Sequence, residues 1–247
     1  MEKKLNAIDS EVNRKSLNEK RAKSLFVTGT GTDVGKTYIT GLILKKLDMA
    51  NCKAAYYKLA MSGNLRDKKG NLIPGDAKKV KELSGIKQDL ADMCSYVYEN
   101  AYSPHLASRI EGNPVDIRIA DKEYENLLRK YDFVTLEGSG GITCPIRFDQ
   151  EKIFLDDYVK YKNIPCVIVA DAGLGTINYV ELTCHYMETR GIKVKGIIFN
   201  NCVKGDVMHE DNLKMCEYLT GIKVIAKVSR GDKEINIDEE LLKSLYE

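Results

Sequence analysis

A short apolar run, LFVT at residues 25–28, opens directly into GTGTDVGKT at 29–37. A helical pattern follows over 36–49, with Ile39, Leu42, Ile43 and Leu47 on one face. Strand, glycine-rich turn and helix in this order leave few architectures open. The turn lies at the carboxyl end of a strand, and the helix returns along the sheet toward a parallel neighbour. Glycines let the backbone N–H groups curl around a phosphate, and the helix N-terminus adds its positive end. Lys36 is placed to bridge β- and γ-phosphates, and the Thr37 hydroxyl to ligate Mg2+. The strict pattern GxxxxGK[ST] requires glycine at position 30, where this chain has Thr30.

The same alternation continues downstream. Residues 54–58 (AAYYK), 133–136 (FVTL), 167–170 (VIVA) and 197–200 (IIFN) read as strands, with a sixth at 224–228. Helical patterns cover about 117–130, 176–190 and 207–219. Short apolar strands between amphipathic helices predict an α/β fold. Its central sheet is mostly parallel, with helices on both faces. In such sheets the ligand lies beyond the carboxyl ends of the strands. Residues 29–37, 58–63, 137–141 and 171–178 all follow strand-like runs, so they are expected to converge there.

Length and composition narrow the class. The chain has 247 residues, 43% hydrophobic and 30% charged, which excludes a mainly disordered or collagen-like chain. Residues 24–247 are read as one domain, and the polar residues 1–23 as a loose extension. No 18-residue apolar run predicts a membrane span, and the first 25 residues hold no secretory core. Net charge is +2, and the basic excess sits in residues 1–23. No nucleic-acid or membrane surface is expected from it. The seven cysteines (Cys52, Cys94, Cys144, Cys166, Cys184, Cys202, Cys216) form no CxxC, and their number is odd. The expectation is a reducing, cytoplasmic setting with the cysteines in structural roles.

Three further segments carry candidate chemistry. In KLAMSG (58–63), Lys58 is expected at a strand end with Ser62 close behind it, a cation and a hydroxyl facing the phosphates; a surface lysine is the bland alternative. In EGSGG (137–141), Glu137 suits a Mg2+ ligand, direct or through water, and the glycines allow close backbone approach. Asp76 in PGDA is a second metal carboxylate or a helix N-cap. DAGLGTIN (171–178) offers an anion-binding helix start or an ordinary tight turn. His105, His185 and His209 have no partners at metal-ligand spacing, and neither GxSxG nor HExxH occurs.

VTGTGTDVGKT (27–37), KLAMSG (58–63), GDA (75–77), SPHLA (103–107), LEGSGG (136–141), DAGLGTIN (171–178) and GIIFNN (196–201) together resemble the dethiobiotin synthetase family. The resemblance covers about residues 24–201. Its most specific parts are the loop with five residues between its glycines, the Lys-x-x-x-Ser-Gly and the Glu-Gly-x-Gly-Gly. It implies a homodimeric P-loop NTPase-like fold. The implied reaction is 7,8-diaminopelargonic acid, CO2 and MgATP to dethiobiotin, ADP and phosphate, through a carbamate and its mixed anhydride with phosphate. By the same resemblance the catalytic residues are Lys36, Thr37 and Lys58. Thr32, Asp33, Val34, Gly35, Lys36, Thr37, Tyr38, Glu137 and Asn200 hold the nucleotide, with Asn200 at the base. Lys58, Ser62, Gly138, Gly141, Gly173, Leu174, Gly175 and Asn178 hold the substrate, its carboxylate bound across the dimer. Thr37, Asp76 and Glu137 serve Mg2+. Two positions depart from the family pattern: Leu59 replaces a proline, and AKVSRGDK (226–233) lacks the Gly-x-Ile-Pro of its base-binding loop.

Other readings use the same loop. A ParA/MinD-like switch ATPase carries an extra early lysine, where this chain has Thr30 and Gly31. A glutamine-dependent amidoligase normally needs a further glutaminase domain. A catalytically silent nucleotide-binding module is at odds with Lys36, Thr37, Lys58, Ser62 and Glu137 all being present.

Overall fold

The structure, a computed structural model, describes residues 21–247. Residues 1–20 of the expected loose extension lie outside the described part, whereas its end, residues 21–23, is bonded to the domain. The first strand, β1 (Lys23–Gly29), leads through the glycine loop into α1 (Lys36–Met49). The chain continues as β2 (Ala54–Met61), α2 (Gly75–Ser84), β3 (Cys94–Val97), α3 (Pro104–Ile110), α4 (Ile117–Lys130) and β4 (Phe133–Glu137). A two-stranded antiparallel hairpin, β5 (Pro145–Phe148) and β6 (Lys152–Phe154), precedes α5 (Leu155–Lys162). The remainder alternates regularly: β7 (Cys166–Asp171), α6 (Thr176–Thr189), β8 (Val194–Asn200), α7 (Val207–Thr220), β9 (Val224–Lys227) and α8 (Glu239–Ser244).

The main sheet has the order β3-β2-β4-β1-β7-β8-β9, and its six strand pairs are parallel. Alternation along β1 shows how the strands feed two cores: Leu25 and Val27 face one side and Phe26 the other. The first core receives Ile39, Leu42 and Ile43 of α1, Val80 of α2 and Leu242 of α8. The second receives Tyr124 and Leu127 of α4, Tyr158 of α5 and Val180 and Met187 of α6. Both faces of the sheet are therefore covered, as the uninterrupted apolar strands require.

Aspartate caps mark some of the helix starts. Asp116 accepts from Arg118 N at 2.9 Å at the start of α4, and Asp206 accepts from His209 N at 3.0 Å at the start of α7. One expected boundary is wrong. The second strand does not end at Lys58 but runs on to Met61, so Lys58 lies inside β2. The reason is a change of partner. β2 pairs with β4 as far as Tyr57 opposite Leu136, then with β3 from Lys58 opposite Cys94. From Lys58 onward the backbone register of β2 is with β3, and its side chains still meet Glu137 and the loop after β4.

Candidate active site

The phosphate-type loop is shaped by a contact from β8. Gly35 has φ +95°, and a Cβ there would run into the side chain of Asn200, at the end of β8. Asn200 Nδ2 donates to Val34 O at 3.1 Å, while its Oδ1 is buried without a partner. Lys36 curls back over the loop and donates to Gly31 O at 2.7 Å. Burial foremost, and then the positive charge of Lys58, lower the pKa of Lys36 from the usual lysine value.

Lys58 is the centre of the site. It is 6% exposed and donates to Asp76 Oδ2 at 2.8 Å and to Glu137 Oε1 at 2.9 Å. Thr37 Oγ1 donates to the same Glu137 oxygen at 2.8 Å. Burial alone would lower the pKa of Lys58, but the two carboxylates outweigh it and raise it well above the usual lysine value. Asp76 is held below the usual carboxylate range, because Lys58 more than offsets the effect of burial.

The N-cap alternative for Asp76 does not hold. The N-cap of α2 is Pro74, and Asp76 lies in the first turn with its carboxylate on Lys58. The helix start is satisfied by Asn64, which accepts from Gly75 N at 2.8 Å and donates to Met61 O and Tyr98 O. Asn64 thus ties the ends of β2 and β3 to the helix that carries Asp76. No motif marked it, because an isolated asparagine in a loop has no sequence signature.

These groups line a cleft of about 740 Å³. Its wall brings together Thr32, Asp33, Gly35, Lys36, Thr37, Tyr38, Lys58, Ser62, Asp76 and Glu137, all expected. It adds Ser139 and Gly140 of the expected 137–141 segment, and Lys79, Glu82 and Leu83, which no motif marked. Lys79 could have been found one helical turn beyond Asp76. Ser139 Oγ donates to Ala60 O at 2.8 Å and ties the loop after β4 to β2. Gly138 packs against Phe26, where a Cβ would stand 2.8 Å from the ring, and Gly141 lies against Gly29 O.

Six expected substrate contacts are not part of this lining: Gly138 and Gly141, which flank Ser139 and Gly140, and four in a separate turn. Gly173, Leu174, Gly175 and Asn178 belong to the turn into α6, where Leu174 is 89% exposed. Asp171 shapes that turn by accepting from Gly173 N at 2.8 Å and from Asn201 Nδ2 at 2.7 Å. The segment that departs from the family's base-binding loop folds over α1. Tyr38 OH donates to Asp232 O, and Lys45 Nζ to Lys233 O at 2.9 Å.

A family model described as an AAA domain matches residues 23–235. The ATP-dependent dethiobiotin synthetase BioD of Brachyspira hyodysenteriae is 47% identical over 227 residues, 92% of this chain and 100% of the relative. The chain belongs to the dethiobiotin synthetase family. The protein of the same name from Clostridium perfringens (strain ATCC 13124) is 47% identical over 91% of this chain and 98% of its own. Among solved structures, a ParA family ATPase from Chlorobium tepidum is matched over 87% of this chain and 86% of its own. Its TM-score is 0.50 and its identity 12%. The MinC:MinD cell division complex of Aquifex aeolicus is matched over 91% and 86% at TM-score 0.52 and 15% identity. Those two likenesses concern the P-loop NTPase-like fold alone. The full-length sequence similarity is to dethiobiotin synthetases.

Among the described residues, no group of three or more His, Cys, Asp and Glu is placed to hold a metal by itself. The oxygens in the cleft nevertheless fit Mg2+. Glu137 Oε2 is buried without a partner, and the Thr37 hydroxyl and Asp76 lie around the same lysine. Mg2+ commonly takes one or two protein carboxylates and completes its shell with water and substrate phosphate. No described helix is long and apolar enough to cross a membrane.

Proposed function

We propose that the chain is an ATP-dependent dethiobiotin synthetase, a ligase (EC 6.3.3.3) that closes the ring of dethiobiotin from 7,8-diaminopelargonic acid, CO2 and ATP. One observation carries the reading beyond family membership. Two buried ammonium groups, Lys36 and Lys58, share one cleft but serve different walls of it. Lys36 belongs to the phosphate loop. Lys58 comes from β2 and lines the cleft beside Asp76 and Glu137, where a second anion can meet the nucleotide.

In this reading one amine of the substrate takes up CO2 and loses a proton to become a carbamate. A carbamate oxygen attacks the γ-phosphorus of ATP, and ADP leaves. The second amine then attacks the carbonyl carbon, phosphate leaves, and the cyclic urea forms. Thr37, Asp76 and Glu137 would hold Mg2+, which supplies charge neutralisation on the phosphates. Lys36 steadies the phosphate chain, and Lys58 lowers the repulsion between carbamate and γ-phosphate. Both effects act most strongly where charge is concentrated in the transition state.

The 173–178 turn would take the substrate carboxylate of a second copy in a homodimer. Its supports are its place outside its own chain's cleft and the exposed Leu174, Tyr179 and Leu182 beside it. The seven cysteines are all free, which supports a reducing, cytoplasmic setting. The test is a mass spectrum of the product made from diaminopelargonate, 13C-bicarbonate and MgATP. Dethiobiotin carrying the label is expected. ADP release that responds to DNA, lipid or glutamine instead of diaminopelargonate would overturn the reading.

A further inference from the structure

Beneath the Lys58 cluster lies a group the mechanism has not used. Tyr56 is on β2 two residues before Lys58, opposite Thr135 of β4, which is two residues before Glu137. Residues two apart on a strand share a face, as do register partners across a parallel pair. Tyr56, Lys58, Thr135 and Glu137 therefore project to the same side of the sheet, with the phenol one step below the lysine and the carboxylate. Tyr56 is fully buried, and its hydroxyl has no hydrogen-bond partner. Glu137 is 1% exposed, and its Oε2 also has none, since Thr37 and Lys58 both donate to Oε1. The Glu137 side chain lies within reach of the phenol, although no hydrogen bond between them is formed.

A buried donor and a buried acceptor left unmade side by side are costly, unless a later state of the site joins them. The proposed reaction contains such a state. Lys58 must turn from Glu137 toward the carbamate, and Glu137 then loses a hydrogen bond. We propose that the Tyr56 hydroxyl is a positioning donor for Oε2 of Glu137, engaged as Lys58 turns to substrate. This rests on the substrate-side role of Lys58. A neutral donor suits the task better than a second cation. It fixes the carboxylate's direction without cancelling its charge, and each carboxylate oxygen keeps a further lone pair for Mg2+.

Wild type, Tyr56→Phe, Glu137→Gln and the double variant test this. Tyr56→Phe keeps the ring and removes only a hydroxyl that has no partner, so it should melt close to wild type. Its kcat should fall by about tenfold, the usual scale for losing a group that orients a metal ligand, with KM for diaminopelargonate unchanged. Apart from turnover, the rise in melting temperature caused by ADP should lose much of its Mg2+-dependent part. In the Glu137→Gln background, removing the hydroxyl should cost nothing further. Additive losses in the double variant would assign Tyr56 an independent structural role and overturn the proposal. So would a wild-type kcat and Mg2+ response in Tyr56→Phe, or a large drop in its melting temperature. A wild type that makes no dethiobiotin would sink the proposed reaction, while the Mg2+-dependent ADP shift would still report on Tyr56.

Discussion

Two lysines in this protein, the buried Lys58 and the half-buried Lys162, each lie between two carboxylates, yet the clusters differ in kind. Lys162 of α5 reaches Asp121 Oδ1 at 2.6 Å and Glu125 Oε1 at 2.7 Å, one turn apart on α4. Tyr158 also donates to Asp121, and Arg21 pairs with Glu125. No buried side-chain oxygen of Asp121 or Glu125 lacks a partner. Lys58 draws its partners from α2 and β4, elements separate from its own strand, and leaves Glu137 Oε2 unpaired beside an open cleft. The satisfied cluster clamps α4, α5 and the start of β1 together. The unsatisfied one keeps a lysine charged and a carboxylate oxygen available. A buried ion cluster that is hydrogen-bonded throughout holds a fold together; one with an unmet acceptor is poised for a ligand.

Substitutions at the two clusters should separate these roles. The largest effects belong to the open site. Lys36→Ala and Lys58→Gln should each lower kcat by about 10²-fold or more, as for other lost electrostatic stabilisers. Lys58→Gln should leave nucleotide affinity little changed, read by steady-state kinetics beside ADP titration. Strongly weakened ATP binding with kcat intact would reduce Lys58 to a nucleotide ligand. Lys162→Met should do the reverse. It leaves two carboxylates buried without their lysine and should destabilise the fold by about 3–5 kcal/mol, while kcat of the folded fraction stays near wild type. Denaturant unfolding beside activity checks this.

A smaller effect is expected from acid. The carboxyl of Asp76 is depressed below its usual 3.8 by Lys58 against the effect of burial. Its contribution to stability is therefore complete above that value and is lost as pH falls through the depressed one. The melting-temperature gap between wild type and Asp76→Asn should close as pH drops below about 3.8; a gap that persists there would contradict the assignment. The smallest effect concerns the chain start. Removing residues 1–20 should change neither kcat nor melting temperature. Extending the cut through Lys23 removes the Arg21–Glu125 pair and the bonds from Ala22 N and Lys23 N to Leu128 O and Asp132 O. It should lower the melting temperature by a few degrees, roughly what 1 kcal/mol does in a domain of this size. Equal melting of the two truncations would show that the clamp does not need Arg21.

Much of this was legible in the sequence because it is local. Apolar runs at 25–28, 133–136, 167–170 and 197–200 became β1, β4, β7 and β8, and the glycine loop lies between β1 and α1 as its neighbours require. Lys36, Thr37 and Glu137 lie at a helix start and a strand end, where the pattern put them. Strand β3 was missed because CSYV is short and has a polar residue among its four. The hairpin and α2, α3, α5 and α8 were missed as elements because they span ten residues or fewer, too short for periodicity to declare them.

What the tertiary structure alone decided is how the charges meet. Lys58 is not at a strand end; it lies where the pairing of β2 with β4 ends and that with β3 begins, and it meets Glu137 across that point. Asp76 meets it because Asn64 sets the start of α2, and Tyr56 stands under Glu137 because Tyr56 pairs with Thr135. Composition, period and turn chemistry are properties of neighbours along the chain. Strand register and the encounter of residues 18 or 79 positions apart come from packing the whole sheet, and that packing decides which ionised groups lie within hydrogen-bond reach.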